Sequence, residues 1–100
     1  MAVKHVKTAE FDEVIGGAPL AMVDLWAPWC GPCRMVGPLL EEIAEERSDI
    51  KVVKINIDQE RELARQFRVM SIPTLAVMKN GEVVNLSVGA RPKDEILAML

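Results

Sequence analysis

The sequence predicts an α/β domain in which a central mixed sheet of about five strands is flanked by four helices. Segments with the spacing of an amphipathic helix alternate with short β-branched segments, which is typical of parallel strands joined by helical crossovers. The pair Asn80-Gly81 separates the last two strand-like segments and favours a tight antiparallel hairpin. A chain of 100 residues that is 50% hydrophobic can bury one core, so residues 1–100 are predicted to form a single domain.

The first three elements are predicted to be a strand, a helix and a buried strand. Residues 3–6 form the first strand, and Thr8 is predicted to cap the helix that follows. Gly16-Gly17 ends this helix, and its apolar positions follow i, i+3, i+4 spacing at Phe11, Val14 and Ile15. Residues 20–26 are mostly apolar and predict a strand that is buried in the sheet.

A long helix, a second β-branched strand and a third helix come next. The long helix follows the turn at residues 30–33, is expected to bend at Pro38, and shows one apolar face made by Met35, Val36, Leu39, Leu40 and Ile43. Residues 51–57 are rich in β-branched side chains and predict a strand. Asp58 is predicted to cap the third helix, which carries Leu63, Ala64 and Phe67.

The C-terminal part is predicted to form the hairpin and the last helix. Strands at residues 74–79 and 82–88 flank Asn80-Gly81, whose tolerance of positive φ suits the turn. Gly89 breaks the second strand, and Pro92 suits the first turn of a helix. The acidic residues that favour the positive end of this helix and the apolar residues that follow are Asp94, Glu95, Ile96, Leu97 and Leu100.

Composition and charge exclude several classes of function. The formal net charge is -3 and the basic residues are scattered, so we expect no nucleic-acid partner. Residues 1–6 contain no apolar stretch typical of a signal peptide, and Pro19, Asp24 and Pro28 interrupt the longest apolar stretch. We therefore expect a cytoplasmic protein that does not contact membranes. Two cysteines are too few for a secreted disulfide scaffold, so their close spacing points to chemistry.

Cys30 and Cys33 are the candidate catalytic residues. A Cys-x-x-Cys pair that opens a helix places the first sulfur beside unpaired backbone N–H groups and the positive end of the helix dipole, which favours a thiolate at Cys30. In disulfide exchange a thiolate attacks and a second thiol closes the mixed disulfide, so Cys30 is predicted to attack and Cys33 to resolve. A zinc or iron-sulfur site is the alternative, but the second half of such a motif is absent and His5 is the single histidine, so no metal is expected.

Asp24 is the second informative position in the sequence. A carboxylate inside an apolar strand is costly to ionise, and burial raises its pKa. One predicted role is to exchange a proton with Cys33 while that thiol attacks or leaves. The alternative is a structural ion pair with Lys54, which interrupts the apolar run of the neighbouring strand in the same way. The two interpretations are compatible.

A proline and two tryptophans are further candidates for the site. Pro73 begins a predicted strand and lacks an N–H donor, so it is either an edge-strand proline or the second residue of a cis peptide bond. Trp29 lies at a turn beside Cys30 and is predicted to be partly exposed as a contact surface. Trp26 lies on the predicted strand and is expected to belong to the core.

Taken together, these motifs resemble the thioredoxin family over nearly the whole chain. Matching blocks occur in the family's order at residues 23–33 with Pro38, 54–58, 71–74, 79–82 and 88–90. The resemblance implies the thioredoxin fold and a thiol-disulfide oxidoreductase that reduces protein disulfides through Cys30 and Cys33. The sequence departs from the family's pattern at Phe67, where Tyr is frequent, and in a last helix that stops early at Leu100.

The resemblance also implies a substrate site and partners. It implies a cis bond before Pro73 and an apolar groove for substrate polypeptide lined by Trp29, Gly31, Pro32, Ile72, Pro73, Val88, Gly89 and Ala90. Trp26, Pro38 and Lys54 are predicted to support the site. Backbone groups next to Pro73 would pair with the substrate as an added strand does. No cofactor is expected beyond the redox-active disulfide. The expected partners are disulfide-containing proteins and thioredoxin reductase, an NADPH-dependent flavoprotein, and we expect a monomer.

Two other functions stay open at this point. An oxidase or isomerase of the same fold usually has a His between the cysteines, whereas the neutral Gly31-Pro32 adds no charge that would favour the reduced form, so a reductant is preferred. A subunit that acts through its surface rather than its dithiol is the other possibility. Substitution of each cysteine separates this last possibility from the predicted function.

Overall fold

A computed structural model describes residues 3–100 of the chain. Within these residues the elements are β1 (Val3–His5), α1 (Thr8–Gly16), β2 (Leu20–Trp26), α2 (Gly31–Glu46), β3 (Lys51–Asn56), α3 (Arg61–Gln66), β4 (Thr74–Lys79), β5 (Glu82–Val88) and α4 (Lys93–Leu97). Their order is the predicted one, and the predicted fold of a mixed five-stranded sheet with four helices is confirmed. In this part of the chain no helix has both the length and the apolar character needed to cross a membrane.

β2 lies at the centre of the sheet, whose strand order is β1-β3-β2-β4-β5. β1 and β2 both run parallel to β3; α1 connects β1 to β2 across β3, and α2 connects β2 to its neighbour β3. β4 is antiparallel to β2 and to β5. Residues 21–25 of β2 are fully buried because the strand has a neighbour on each side and helices over both faces.

The side chains of the sheet alternate between two hydrophobic cores. On one face, Val23 and Leu25 of β2 pack with apolar residues that α1 and α3 provide, among them Phe11, Ile15 and Leu63. On the other face, Met22 of β2 and Leu75 of β4 pack with residues of α2 and α4, among them Val36, Leu40 and Ile96. Each such side chain contributes about 1.5–3 kcal/mol when it is fully buried, so the two cores hold the helices against the sheet.

Two predicted helix caps are wrong. The residue before α1 is Lys7, and the Thr8 hydroxyl and N–H both donate to Glu60 Oε1, at 3.0 and 2.8 Å, which ties the start of α1 to the start of α3. α3 begins only at Arg61, three residues beyond Asp58, because a turn follows β3 first. The strands predicted at residues 3–6 and 51–57 each end one residue earlier than expected.

The hairpin between β4 and β5 has the predicted bounds, and its turn has the predicted backbone. Asn80 and Gly81 have φ values of 50° and 84°, which lie in the left-handed region. Glycine adopts this region at no steric cost and Asn adopts it more readily than most residues, which is why the pair occurs at tight hairpins.

Replacing Gly81 with Ala is expected to lower the free energy of unfolding by about 1 kcal/mol, because its φ is unfavourable for a side chain with a Cβ. Among the described residues no atom lies within 4 Å of the added Cβ, so backbone conformation is the whole cause. Gly16→Ala is the matched control, since that Cβ also meets no atom within 4 Å and α1 favours Ala. Urea denaturation measures the difference, and an equal loss in both variants would contradict the explanation.

Candidate active site

Cys30 and Cys33 lie at the turn that joins β2 to α2. Cys30 is the residue before the helix, in an extended conformation, and its N–H donates to the Ala27 carbonyl at 3.1 Å. Gly31 and Pro32 take the first two helical positions, where the missing N–H of proline removes no helical hydrogen bond. The next residue is Cys33, and the two cysteines form a disulfide with their Cα atoms 5.3 Å apart.

The start of α2 stabilises negative charge on the Cys30 sulfur. The Cys33 N–H, one of the N–H groups that a helix leaves without an internal partner, donates to Cys30 Sγ at 3.2 Å. α2 is 16 residues long and has no acidic residue in its first turn, so the partial positive charge of its dipole at this end is not neutralised locally. Once the disulfide is reduced, both interactions favour the thiolate of Cys30 over the thiol.

The two cysteines line different cavities. Cys30 lines an open groove of about 410 Å³ together with four of the predicted groove residues, Trp29, Gly31, Pro32 and Ile72. Cys33 lines a separate cavity of about 720 Å³, whose walls include Trp26, Pro38 and Lys54. Only 5% of Cys30 and 4% of Cys33 is exposed. A substrate sulfur therefore reaches either cysteine through the cavity that this cysteine lines.

Asp24 places a carboxyl group in the core of the sheet. It is fully buried on β2, and its direct neighbours across the sheet are Lys54 on β3 and Leu75 on β4. Loss of hydration on burial raises the pKa of Asp24 from 3.8 to about 7, and the positive charge of Lys54 opposes part of this rise. Within residues 3–100 neither carboxylate oxygen has a hydrogen-bond partner. The group therefore gains or loses its proton near neutral pH.

Asp24 lies on the same face of the sheet as the cavity of Cys33. Side chains two apart on a strand share a face, and so do direct neighbours on adjacent strands. Trp26 lies two residues after Asp24, and Lys54 is its direct neighbour on β3. Both line the cavity of Cys33, so sequence-predicted Asp24, Lys54 and Cys33 are brought to one side of the sheet.

Lys54 contacts the Trp26 ring rather than the carboxylate. Its Nζ lies 4.6 Å from the ring centroid, a cation–π geometry, and in the described chain it forms no hydrogen-bonded ion pair with Asp24. The structural ion pair is therefore not formed directly. Trp26 is half-buried and packs against the small core cluster of Ala27, Cys30 and Cys33, so it lies at the margin of the core. Its ring also contacts the His5 ring, whose centroid is 6.0 Å away.

Pro73 lies immediately before β4, and the Ile72–Pro73 peptide bond is cis, as the resemblance implied. The edge-strand interpretation of this proline is wrong, because β4 lies between β2 and β5. The Pro73 carbonyl accepts the N–H of Gly89 at 2.8 Å. This hydrogen bond places beside the proline the predicted groove residues that follow each other at the end of β5, Val88, Gly89 and Ala90.

Asp58 contacts the site in a way that the sequence patterns did not predict. Trp29 is 66% exposed, as expected for a contact surface, and its Nε1 donates to Asp58 Oδ2 at 2.9 Å. The Asp58 N–H donates to Asn56 Oδ1 at 2.9 Å, so the turn after β3 holds this carboxylate against the indole instead of at a helix start. The spacing Asn-x-Asp after a strand is the signal for such a turn. The groove residues that the sequence patterns also missed are Ile57, Val69, Met70 and Ser71.

The family model for Thioredoxin matches residues 2–100. The chain belongs to the thioredoxin family. It is 50% identical over 95 residues to a thioredoxin of Listeria monocytogenes, covering 94% of this chain and 91% of that protein. It is 53% identical over 78 residues to a thioredoxin of Bacillus subtilis, covering 77% and 75%.

Solved thioredoxin structures share the fold. A Plasmodium falciparum thioredoxin superimposes with a TM-score of 0.89 at 33% identity, covering 95% of this chain and 93% of that one. A mutant thioredoxin from Halobacterium salinarum gives 0.88 at 35% identity, covering 94% and 83%. With its Cys30–Cys33 disulfide, this member of the thioredoxin family is a thiol-disulfide oxidoreductase that reduces protein disulfides. The predicted family, fold and activity are confirmed.

Proposed function

We propose that residues 1–100 act as one thioredoxin domain in which Cys30 attacks the substrate and Cys33 resolves the mixed disulfide. The placement of the two cysteines carries this assignment. Cys30 lines the open groove and has its sulfur at the N-terminus of α2, where the helix favours a thiolate. Cys33 lines the other cavity, away from the groove in which a polypeptide would lie.

The reaction then has two exchange steps. The Cys30 thiolate attacks one sulfur of the substrate disulfide, forms a mixed disulfide and releases the other substrate sulfur as a thiolate. Cys33 loses its proton and attacks Cys30 Sγ, which forms the Cys30–Cys33 disulfide and releases the second substrate sulfur as a thiolate. Two electrons pass from the dithiol to the substrate, and the product is the oxidised form that the structure describes.

Asp24 accepts the proton of Cys33 in the second step of this proposal. A general base acts best when its pKa lies near the working pH, and burial brings the pKa of Asp24 to about 7. Its position on the sheet face that carries the Cys33 cavity supports the assignment. Lys54, on the same face, moderates the rise in the pKa of Asp24.

The groove at Cys30 is the proposed polypeptide site. Trp29, Gly31, Pro32 and Ile72 line it, and the hydrogen bond from the Gly89 N–H to the Pro73 carbonyl holds Val88, Gly89 and Ala90 beside Pro73. An extended substrate segment beside Pro73 would pair with its backbone as an added strand does. The exposed Trp29 ring, held by Asp58, gives such a segment a rigid apolar contact.

Recycling of the disulfide is proposed to use thioredoxin reductase, with NADPH as the electron source, so that the protein acts as a cytoplasmic electron carrier with no cofactor of its own. Among residues 3–100 no cluster of three His, Cys, Asp or Glu side chains is suited to hold a metal. The neutral Gly31-Pro32 pair supports a reductant over an oxidase or isomerase.

The test is a coupled assay with purified protein, NADPH, a thioredoxin reductase and a disulfide-containing protein. We expect NADPH oxidation that depends on all four components and stops with Cys30→Ser. An equilibrium titration against glutathione measures the reduction potential of the Cys30–Cys33 pair and so shows the direction of electron flow. The dithiol of a reductant is oxidised in a glutathione buffer that keeps the dithiol of an oxidase reduced. A protein that oxidises reduced substrates faster than it reduces disulfides would contradict the proposal.

A further inference from the structure

β5 exposes large apolar side chains although it lies at the edge of the sheet. Val83, Leu86 and Val88 are 47%, 46% and 50% exposed, and we refer to these three residues as the β5 stripe. Val84, at a bulge in the strand, is 54% exposed. The strand has one charged residue, Glu82 at its start, so it lacks the charges that usually protect an edge.

The β5 stripe occupies one face of the sheet. Its residues are direct neighbours of Met78, Ala76 and Thr74 on β4, and direct neighbours in an antiparallel pair share a face. Ala76 and Met78 belong to the core that lies under α1 and α3. The stripe therefore continues that core outward, past the helices, to the edge of the sheet.

The two ends of the stripe meet two different cavities. Val88 lies next to the Gly89–Pro73 hydrogen bond, at the proposed polypeptide groove. Val83 lines a cavity of about 330 Å³ whose other apolar walls are Phe11, Ile15, Phe67 and Met78, and we call this the α1–α3 pocket. The five residue steps from Val83 to Val88 span roughly 17 Å at the rise of a strand.

The backbone edge of β5 is partly closed to strand pairing. The Leu86 N–H is taken by Asn85 Oδ1 at 2.9 Å, and Asn85 Nδ2 donates to the Met99 carbonyl at 3.3 Å. A strand added here, including β5 of a second copy, would have to break this arrangement. Side-chain contact along the stripe breaks nothing, so the stripe suits a segment that lies across its apolar surface.

We propose that protein substrates extend from Cys30 along the β5 stripe and place a large apolar side chain in the α1–α3 pocket, about five residues beyond the substrate residue that contacts Val88. The β5 stripe is continuous with the groove, which is why we assign it to a substrate polypeptide. A polypeptide whose disulfide is at Cys30 contacts Val88 first and the rest of the stripe after it. Glu82 and Asp12, which lie at the pocket end, disfavour an acidic segment. This inference rests on the proposed groove and deepens it by naming a substrate class with a distal apolar anchor.

The first test varies the substrate and leaves the protein unchanged. Peptides with one intramolecular disulfide are compared without an extension and with extensions of about eight to ten residues that end in Leu, Ser or Glu, because the stripe alone takes about five residues. With the reduced wild-type protein we expect kcat/KM for the Leu extension to exceed that for the Ser extension about threefold to tenfold, through KM. The Glu extension is expected to be the poorest. Equal values for Leu and Ser would overturn the proposal.

The second test varies the protein. Leu86→Ser and Val83→Ser are expected to bring the Leu-to-Ser ratio of kcat/KM close to one. Met35→Ser is the matched control, since this exposed residue on α2 lies outside the stripe, and it is expected to keep the wild-type ratio. Thermal unfolding shows that each variant is folded. A ratio that the stripe substitutions leave unchanged would overturn the proposal.

Two further measurements separate the distal anchor from self-association of the protein and from a failure of the proposed cysteine mechanism. Sedimentation velocity identifies self-association, and a dimer that Leu86→Ser dissociates while the ratio stays constant would assign the stripe to a second copy and overturn the proposal. Failure to reduce the unextended peptide would contradict the proposed cysteine mechanism. A wild-type ratio of one with normal reduction of the unextended peptide contradicts the distal anchor alone.

Discussion

Cys33→Ser is expected to abolish turnover while preserving the first attack, so that a covalent complex with the substrate accumulates through Cys30. The Cys30 sulfur keeps its position at the start of α2 in this variant, and the donor at 3.2 Å is a backbone N–H that the substitution leaves in place. Without the second sulfur the mixed disulfide has no intramolecular route to product. Mass spectrometry should show one substrate attached per chain, released by dithiothreitol.

Cys30→Ser is the matched control for this prediction. It also abolishes turnover, but it should form no covalent complex, because Cys33 lines the cavity away from the groove. The two variants lose the same native disulfide, so a difference between them reports on the position of the remaining sulfur. Full turnover with Cys33→Ser, or trapping through Cys33 in Cys30→Ser, would contradict the assigned roles.

Asp24→Asn is expected to make the folded oxidised protein more stable at pH 8 and to remove a pH dependence of stability. Burial raises the pKa of Asp24 from 3.8 to about 7, which corresponds to a cost of about 4 kcal/mol once the group is ionised. The buried amide of Asn also lacks partners and offsets part of the gain, leaving an increase of about 1–3 kcal/mol at pH 8. Urea denaturation as a function of pH measures both effects.

The sign of the pH dependence follows from the two pKa values. Below about pH 3 the carboxyl is largely protonated in the folded and the unfolded chain. Between about pH 4 and pH 7 the unfolded chain releases its proton while the folded chain keeps it, so the free energy of unfolding falls as the pH rises. Above pH 7 both forms are ionised and the penalty is constant. A wild-type minus variant difference that stays flat across this window would contradict the prediction.

Lys54→Gln is the control for the electrostatic part of the argument. Its removal takes away the positive charge that lowers the pKa of Asp24, so the window in which stability falls should extend to higher pH.

For catalysis, Asp24→Asn should slow the resolving step at pH 7 on the order of tenfold to a hundredfold, measured by rapid-quench decay of the mixed disulfide. An unchanged rate would restrict Asp24 to a structural role.

Much of the fold was predictable from local patterns. β2, β4 and β5 have the predicted bounds, because apolar runs, an Asn80-Gly81 turn and Gly89 mark their ends directly in the sequence. The helix caps at Thr8 and Asp58 were not predictable in the same way. Each of these side chains has a better partner far along the chain, Glu60 and Trp29, and local propensity contains no information on distant partners.

The same distinction between local patterns and distant contacts applies to the candidate site. The sequence by itself determined the dithiol turn, the helix that opens at it and the buried strand that carries Asp24, because spacing and apolar periodicity are local properties. Only the tertiary structure decided that Cys30 and Cys33 line different cavities, that Lys54 contacts Trp26 and not the carboxylate, and that β5 continues the core to an exposed edge. These features arise where segments distant in sequence meet, and the free energy of those contacts depends on packing and desolvation that no single segment contains.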